Sequence, residues 1–321
     1  MDLITTGQRS KLINMKAIQI IGPRRLELID VPVPPPGPGE VLIKVEALSV
    51  CGTDMMSYRH PHAEHEYPLN IGRPCHECAG TIVESKSEDW PVGRRVIYLP
   101  GLGLDGGAEY VVARPETLVS LPNDGDLGGW LMCQPLGTVL DALSQAGQIA
   151  GMNVAVLGQG CIVLLFTMVL KELGARRIIA IDPNEDRLTM SRKLGAHLAI
   201  NSDRVAPIKV VQEVYGNVGA DVVIEASGNA GAMDVSVAMA RMYATLVLFG
   251  IPEEKEVTFD YLGAISKQLT MIGTVSATCE SPARPIQEAV DLLTKGKIDL
   301  SWMITHRFPF YEAQSLWTTY P

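Results

Sequence analysis

The 321-residue sequence lacks any apolar stretch long enough to cross a bilayer. Its longest, Cys161 to Leu170, is only about half the length a spanning helix needs. Its first residues, MDLITTGQRSKLIN, hold no apolar core of a secretory signal. Cysteine is scarce: the six thiols are Cys51, Cys75, Cys78, Cys133, Cys161 and Cys279, too few to frame a chain of this length with disulfides. A reducing cytoplasm is the expected compartment. Basic residues are in deficit, with 27 Lys and Arg against 36 Asp and Glu and a net charge of −9. That balance argues against nucleic acid or an anionic membrane as the main partner. A small metabolite and a cofactor are the expected ligands.

What is present is an ordinary globular composition, 47% hydrophobic and 20% charged. The length predicts two domains. Residues 1–14 read as an N-terminal extension. From Met15 to about Tyr110 the pattern is β-rich, with strands predicted at Met15–Ile21, Leu26–Val31, Val41–Val50, Gly80–Glu84 and Arg95–Leu99. The proline run from Pro32 to Gly39 cannot enter a sheet interior and is predicted as a surface connector. Near residue 140 strands and helices begin to alternate. Strands are predicted at Asn153–Leu157, Arg177–Ile181, Asp221–Glu225 and Leu246–Phe249, and helices at Cys161–Leu173, Glu185–Leu194, Ala230–Met242 and Pro285–Leu293. That rhythm predicts a doubly wound parallel sheet, giving an α/β protein with a separate β-rich domain.

The sheet carries a dinucleotide fingerprint. Val154-Ala155-Val156-Leu157 leads into Gly158-Gln159-Gly160, and Cys161-Ile162-Val163 opens a helix. Gly158 permits the tight turn and Gly160 lets the backbone approach a pyrophosphate at a helix N-terminus. The next strand ends at Asp182, about twenty residues on, where a carboxylate reads the ribose hydroxyls and disfavours a 2′-phosphate. NAD is therefore the expected cofactor, with Arg187 as a nearby group able to tolerate phosphate. Val163 replaces the third glycine, which predicts a helix set slightly outward.

The stretch Arg73-Pro74-Cys75-His76-Glu77-Cys78-Ala79-Gly80 holds the densest chemistry. With His62-Ala63-Glu64 upstream it has the pieces of a zinc nucleobase deaminase, His-x-Glu and Pro-Cys-x-x-Cys. Those pieces open two separate helices in deaminases, whereas here only residues 65–73 lie between them. A closed structural zinc knuckle needs four ligands, and Cys75 and Cys78 supply two. Earlier in the chain lies Cys51-Gly52-Thr53-Asp54. Together with Cys75-His76-Glu77, Val92-Gly93-Arg94-Arg95-Val96 and Gly106-Gly107-Ala108-Glu109-Tyr110, it resembles the zinc-type medium-chain dehydrogenase/reductase family, the alcohol, sorbitol and threonine dehydrogenases. The likeness runs in order from Met15 through Gly219-Ala220-Asp221, Gly228 and Ile304-Thr305-His306-Arg307.

The resemblance implies a GroES-like catalytic domain, residues 15–140 and 275–321, split by a Rossmann NAD-binding domain at 141–274. It implies one catalytic zinc with Cys51, His76 and Glu77 as candidate ligands, Asp54 orienting His76, and Thr53 receiving the substrate hydroxyl proton. It adds Thr138, Ser227 and Gly250 to Gly158, Gly160, Cys161, Ile162, Asp182 and Arg187 as cofactor contacts. The implied reaction is NAD-linked oxidation of a secondary alcohol of a polyol, sugar or amino alcohol, in a homodimer or homotetramer. Two other readings are a zinc-free NAD(P)H-dependent enone or quinone reductase and a catalytically silent NAD-binding regulatory protein.

Several positions depart from the pattern. In Leu131-Met132-Cys133-Gln134-Pro135-Leu136 the neutral Gln134 stands at the third-ligand position, where relatives carry Cys or Glu; an amide is a poor zinc ligand. Cys133 is one residue off that position and is expected on the wrong side of the strand end, whereas Cys75 or Cys78 could be recruited. Met56 stands where relatives carry a relaying His, with His60, His62 and His65 nearby. Pro100–Gly107 lacks the cysteines of a structural zinc lobe, so no structural zinc is expected. Relatives continue past His306-Arg307-Phe308-Pro309 with a helix and a closing strand, so an edge of the catalytic domain is expected to be missing or supplied otherwise. The loops 55–66 and 100–106 carry no readable substrate code.

Overall fold

A computed structural model describes residues 14–59, 62–73, 75–100, 106–252, 254, 256–275, 281 and 283–319. His60, Cys279, all of the expected N-terminal extension but Asn14, and most of the 100–106 loop lie outside the described residues. The chain begins β1 (Asn14–Gly22), β2 (Arg25–Pro32), β3 (Val41–Ser49), α1 (Gly52–Arg59), β4 (Glu77–Ser85), β5 (Arg95–Tyr98), β6 (Tyr110–Ala113), β7 (Leu118–Ser120), α2 (Leu127–Leu131) and α3 (Cys133–Ala146). It continues β8 (Asn153–Leu157), α4 (Cys161–Glu172), β9 (Arg177–Asp182), α5 (Glu185–Leu194), β10 (Leu198–Asn201), α6 (Pro207–Val214), β11 (Ala220–Glu225) and α7 (Ala232–Met239). The last elements are β12 (Ala240–Leu248), α8 (Tyr261–Ser266), β13 (Thr270–Gly273), α9 (Ala283–Thr294) and α10 (Ala313–Thr319). Two compact units result: one runs up to Gln134 and resumes at Val290, and the other is Pro135–Ala289.

The first unit joins an antiparallel β1–β2 hairpin to a five-stranded antiparallel sheet ordered β6-β3-β4-β5-β7. Alternation along β1 sends its side chains to two cores. Met15 and Ala17 pack with Val41, Ile43, Ile82 and Val96, while Ile18 and Ile20 pack with Met55, Tyr58, Cys75, Cys78 and Trp317. Trp317 of α10 lies with its ring 5.3 Å from that of Tyr58, so the C-terminal helix closes the second core. The proline-rich connector has no regular structure beyond Pro32 and is tied to Lys86, whose backbone exchanges hydrogen bonds with Gly39 and Glu40.

Segment 55–59 is not loop but the body of α1. Its first turn is closed by Asp54, whose Oδ2 accepts from the Cys51 backbone N–H at 2.8 Å, a reach back across three residues like half of a capping box.

The second unit is a six-stranded parallel sheet ordered β10-β9-β8-β11-β12-β13. Its central strands are apolar on both faces, as a sheet covered by helices requires; Val154, Ala155 and Val156 are fully buried. Helix α4 is buried continuously from Val163 to Leu170, which explains a run that is hydrophobic on every side. The strand at Asn153–Leu157 and the helix at Glu185–Leu194 have the predicted bounds. Helix α7 stops at Met239 rather than Met242, because Ala240 already pairs with Ala220 of β11 and starts β12 early. Among the described residues no helix is long and apolar enough to cross a membrane.

Candidate active site

The candidate site forms in the first unit, where three elements meet. Cys51 ends the chain segment after β3, Asp54 lies in the first turn of α1, and His76 and Glu77 lead into β4. Donor atoms of Cys51, His76 and Glu77 all lie within 4.8 Å of one another, the one group of its kind among the described residues. Asp54 is fully buried behind them, its Oδ1 2.9 Å from His76 Nδ1. That contact makes Nδ1 the protonated nitrogen and leaves Nε2 facing the cluster.

Glu77 is held from the opposite strand. It pairs directly with Ser49 in the β3–β4 register, and the Ser49 hydroxyl donates to Glu77 Oε2. Sequence reasoning missed Ser49, although the register of two strands flanking both motifs contains it. Thr53 Oγ1 donates to Cys51 Sγ at 3.5 Å.

The electrostatics favour a cation here. Burial works against a charged His76, but hydrogen bonds to Asp54 and Cys51, with the charges of Asp54 and Glu77, draw its pKa up to about 11. Glu77 is raised by burial and partly restored by His76 and Ser49. Asp54 is likewise raised by burial against the pull of His76 and the Cys51 N–H. A thiolate, an imidazole and a carboxylate are three protein donors suited to a catalytic zinc, which keeps a fourth position for substrate. The residues present therefore fit the ion that the resemblance implied.

Gln134 sits beside this group without completing it. Its Nε2 donates to the His76 carbonyl at 2.8 Å, while its Oε1 is buried and has no hydrogen-bond partner. The other thiols lie elsewhere. Cys75 and Cys78 are fully buried among Ile18, Ile20, Met55 and Tyr58, and burial pushes both thiols up. Cys78 Sγ contacts the Gly106 carbonyl at 3.6 Å. Cys133 is buried in α3, its pKa pushed up to about 12 by burial. None of the three joins the cluster. Among the loop histidines, His62 spends its ring on Ser57 O and Glu66, both at 3.3 Å, and His65 is exposed.

The dinucleotide turn lies in the second unit. Gly158 adopts φ +83°, and a side chain there would press on Ser227 at about 3.0 Å. Gly160 caps α4 with open space where a Cβ would stand, and Cys161 and Ile162 follow at the helix N-terminus. Asp182, nearly buried, accepts from the Gln159 backbone N–H at 2.6 Å and from Asn184 N–H at 2.7 Å, with Arg187 at 3.7 Å. Each carboxylate oxygen retains a lone pair for a ligand.

Two further features went unread in the sequence. The Gln159 side chain is fully buried and accepts from Thr167 and Ser191, tying the turn to α4 and α5. Buried Glu225, at the end of β11, accepts from Ser227 N–H and Oγ, and its backbone carbonyl accepts from Gly250 N–H. Thr138 donates to Pro135 O within its own helix.

Comparison with known proteins agrees with this layout. Residues 37–123 match the alcohol dehydrogenase GroES-like domain and residues 161–295 the zinc-binding dehydrogenase domain. The chain is 31% identical to the L-threonine 3-dehydrogenase of Bacillus velezensis, over 89% of this chain and 90% of the relative. It is 24% identical to human sorbitol dehydrogenase over 96% and 93%. In fold it is similar to the galactitol-1-phosphate dehydrogenase of Escherichia coli, with a TM-score of 0.84, 23% identity and coverage of 94% and 95%. The chain belongs to the zinc-type medium-chain dehydrogenase/reductase family and is an oxidoreductase of the zinc-type alcohol dehydrogenases.

Proposed function

We propose that the protein oxidises a secondary alcohol of a polyol, sugar or amino alcohol to a ketone, with NAD as hydride acceptor. The observation that carries this reading is the Cys51–His76–Glu77 cluster with Asp54 bonded behind the imidazole. Cys51 Sγ, His76 Nε2 and a Glu77 carboxylate oxygen would hold a zinc ion, which would supply a Lewis acid able to lower the pKa of a substrate hydroxyl. The chain's own residues do the rest. Asp54 keeps the proton on His76 Nδ1, so Nε2 stays a lone-pair donor. Ser49 orients Glu77. Thr53 Oγ1 donates toward Cys51 Sγ and so presents its own lone pairs to the hydroxyl proton of the substrate.

The N–H groups around Gly160, Cys161 and Ile162 receive the pyrophosphate, Asp182 the adenosine ribose with Arg187 alongside, and Thr138, Ser227 and Gly250 the remaining cofactor contacts. A dinucleotide bound there would supply its nicotinamide as the hydride acceptor. The protein also self-associates in this reading: edge strand β13 and the neighbouring Tyr261 and Leu262, 68% and 73% exposed, offer an unpaired apolar border. Light scattering tests that point.

The deciding experiment measures zinc in protein purified without chelator, beside a screen of polyols, aldoses and amino alcohols followed by NADH absorbance. About one zinc per chain, with loss of both metal and turnover in Cys51→Ser, is expected. Full turnover in Cys51→Ser, or activity in metal-free protein, would overturn the mechanism.

A further inference from the structure

Three buried side chains beneath the dinucleotide turn are polar where packing alone asks for none. Gln159, Thr167 and Ser191 are each fully buried, and they come from three pieces of the second unit: the turn after β8, helix α4 and helix α5. Gln159 Oε1 accepts from Thr167 Oγ1 at 3.1 Å and from Ser191 Oγ at 2.7 Å. Its Nε2 reaches back to Val156 O at 3.4 Å, so one amide touches strand, turn and both helices.

Neither hydroxyl depends on Gln159 for a partner. Ser191 Oγ also has Arg187 O at 2.9 Å, one turn back in its own helix. A threonine inside a helix can likewise turn to a carbonyl of the preceding turn. An apolar residue of similar size at position 159 would therefore strand no donor. What the amide adds is geometry, because a fully satisfied buried network holds one arrangement.

That arrangement carries groups expected to meet the ligand. Gln159 lies between two glycines, which lend the turn little stiffness of their own. Its backbone N–H donates to Asp182 Oδ2 at 2.6 Å, and Asn184 N–H donates to Asp182 Oδ1 at 2.7 Å. Asn184 in turn caps α5, the helix that bears Ser191. The contacts close a ring: from the turn to Asp182, on to Asn184 and α5, and through Ser191 back to the Gln159 amide. We propose that Gln159 is a positioning residue for the dinucleotide, its buried amide pinning the turn so that Asp182 meets the adenosine ribose at one fixed angle. That role presupposes the cofactor reading above and is independent of the metal cluster.

Gln159→Met keeps the volume and removes the amide. Thr167→Val removes one hydroxyl with almost no change of shape, and Thr167→Ser retains it. Fluorescence titration with NADH and NADPH, and calorimetry with ADP-ribose, read binding at a temperature where circular dichroism shows each variant folded. Circular dichroism is the suitable probe, since all four tryptophans lie in the other unit. Gln159→Met should weaken NADH and ADP-ribose about 5- to 10-fold, the worth of one neutral hydrogen bond. The ratio of NADH to NADPH affinity should fall with it by a few-fold. Thr167→Val should act in the same direction and less, and Thr167→Ser should bind as the wild type does. In an Asp182→Ala background Gln159→Met should leave the ratio unchanged, because the group it positions is gone. A lowered unfolding midpoint with unaltered affinities and ratio in Gln159→Met would show packing alone and overturn the proposal. So would an equal shift of the ratio with and without Asp182. Wild-type protein that binds neither dinucleotide refutes the cofactor reading and this role with it, whereas wild-type binding that Gln159→Met leaves intact refutes this role alone.

Discussion

Replacing Asp54 by Asn is the sharpest test of how the cluster is held, because the change removes a charge and almost no volume. Asp54 is fully buried, and its two oxygens accept two N–H groups, from Cys51 at 2.8 Å and His76 Nδ1 at 2.9 Å. An asparagine has one acceptor oxygen, so one of these donors must lose its partner. If the amide oxygen stays on Cys51 N–H, its NH₂ group faces His76 Nδ1. The imidazole then relieves the clash by moving its proton to Nε2, the nitrogen needed for the ion. If the amide turns over, the Cys51 N–H at the head of α1 is left buried and unpaired.

In the first case a charge-assisted bond becomes a neutral one, in the second a backbone donor loses its partner, and the metal-free unit loses about 1–3 kcal/mol. Zinc affinity falls about 10- to 100-fold, as for other lost carboxylate–histidine contacts. Urea unfolding followed by tryptophan fluorescence reads the first quantity cleanly, since Trp90, Trp130, Trp302 and Trp317 all belong to the unit that holds the site. Competition with a chromophoric chelator reads the second. An unchanged unfolding midpoint together with unchanged zinc retention in Asp54→Asn would refute the reasoning.

Asp182→Ala should shift the ratio of NADH to NADPH affinity toward NADPH; fluorescence titration of both cofactors yields the ratio, and a constant ratio would show that this carboxylate does not read the ribose. Alkylation mapped by mass spectrometry at pH 8 should modify exposed Cys161 in the native protein and spare Cys75, Cys78 and Cys133, whose burial raises their pKa values. Labelling of Cys78 without unfolding would contradict the packing. Asp126 caps α2 by accepting from Gly129 N–H at 2.9 Å and pairs with Arg307, which holds its carboxyl below the usual range. Asp126→Ala should cost about 1 kcal/mol at neutral pH. Because the folded pKa is depressed, that contribution is present above the unfolded value near 3.8 and fades as pH falls through the folded one; denaturant curves at pH 7 and pH 3 would show it.

The legible parts of the molecule were those whose local pattern and tertiary role coincide. Strand β8 and helix α5 carry their bounds in their own residues: a turn glycine after Leu157, an Asn184 cap, a terminating Gly195 at φ 121°. The short strands β6, β7, β10 and β13, three or four residues each, fall below the length at which alternation can be recognised. The unit junctions at Gln134 and Ala289 fall inside α3 and α9, where a continuous helix leaves no linker composition. Ser49 was hidden for another reason: its role arises only from antiparallel register, which pairs it with Glu77 across 28 residues of chain.

The four residues from Cys75 to Cys78 show how one stretch can serve two purposes without conflict. Read linearly they suggest a single metal motif, but successive residues entering a strand face opposite sides. Glu77 turns toward Ser49 and the cluster, while Cys78 turns into the core with Tyr58 and Trp317. Cys75 joins that core, and only His76 and Glu77 are left for chemistry. The same core dictates the glycines opposite. A side chain at Gly106 would run into Cys78 Sγ and approach Cys75 O at 2.9 Å, and one at Gly107 would press on Gly72 O at 2.7 Å. The thiols and the paired glycines are therefore one packing solution: sulfur fills the space that the missing Cβ atoms leave. The hydrogen bonds from Gly106 and Gly107 then clamp the segment that carries Arg73 and delivers His76. On this argument Cys75 and Cys78 act on the reaction through the backbone they pack, and no ion has to touch them.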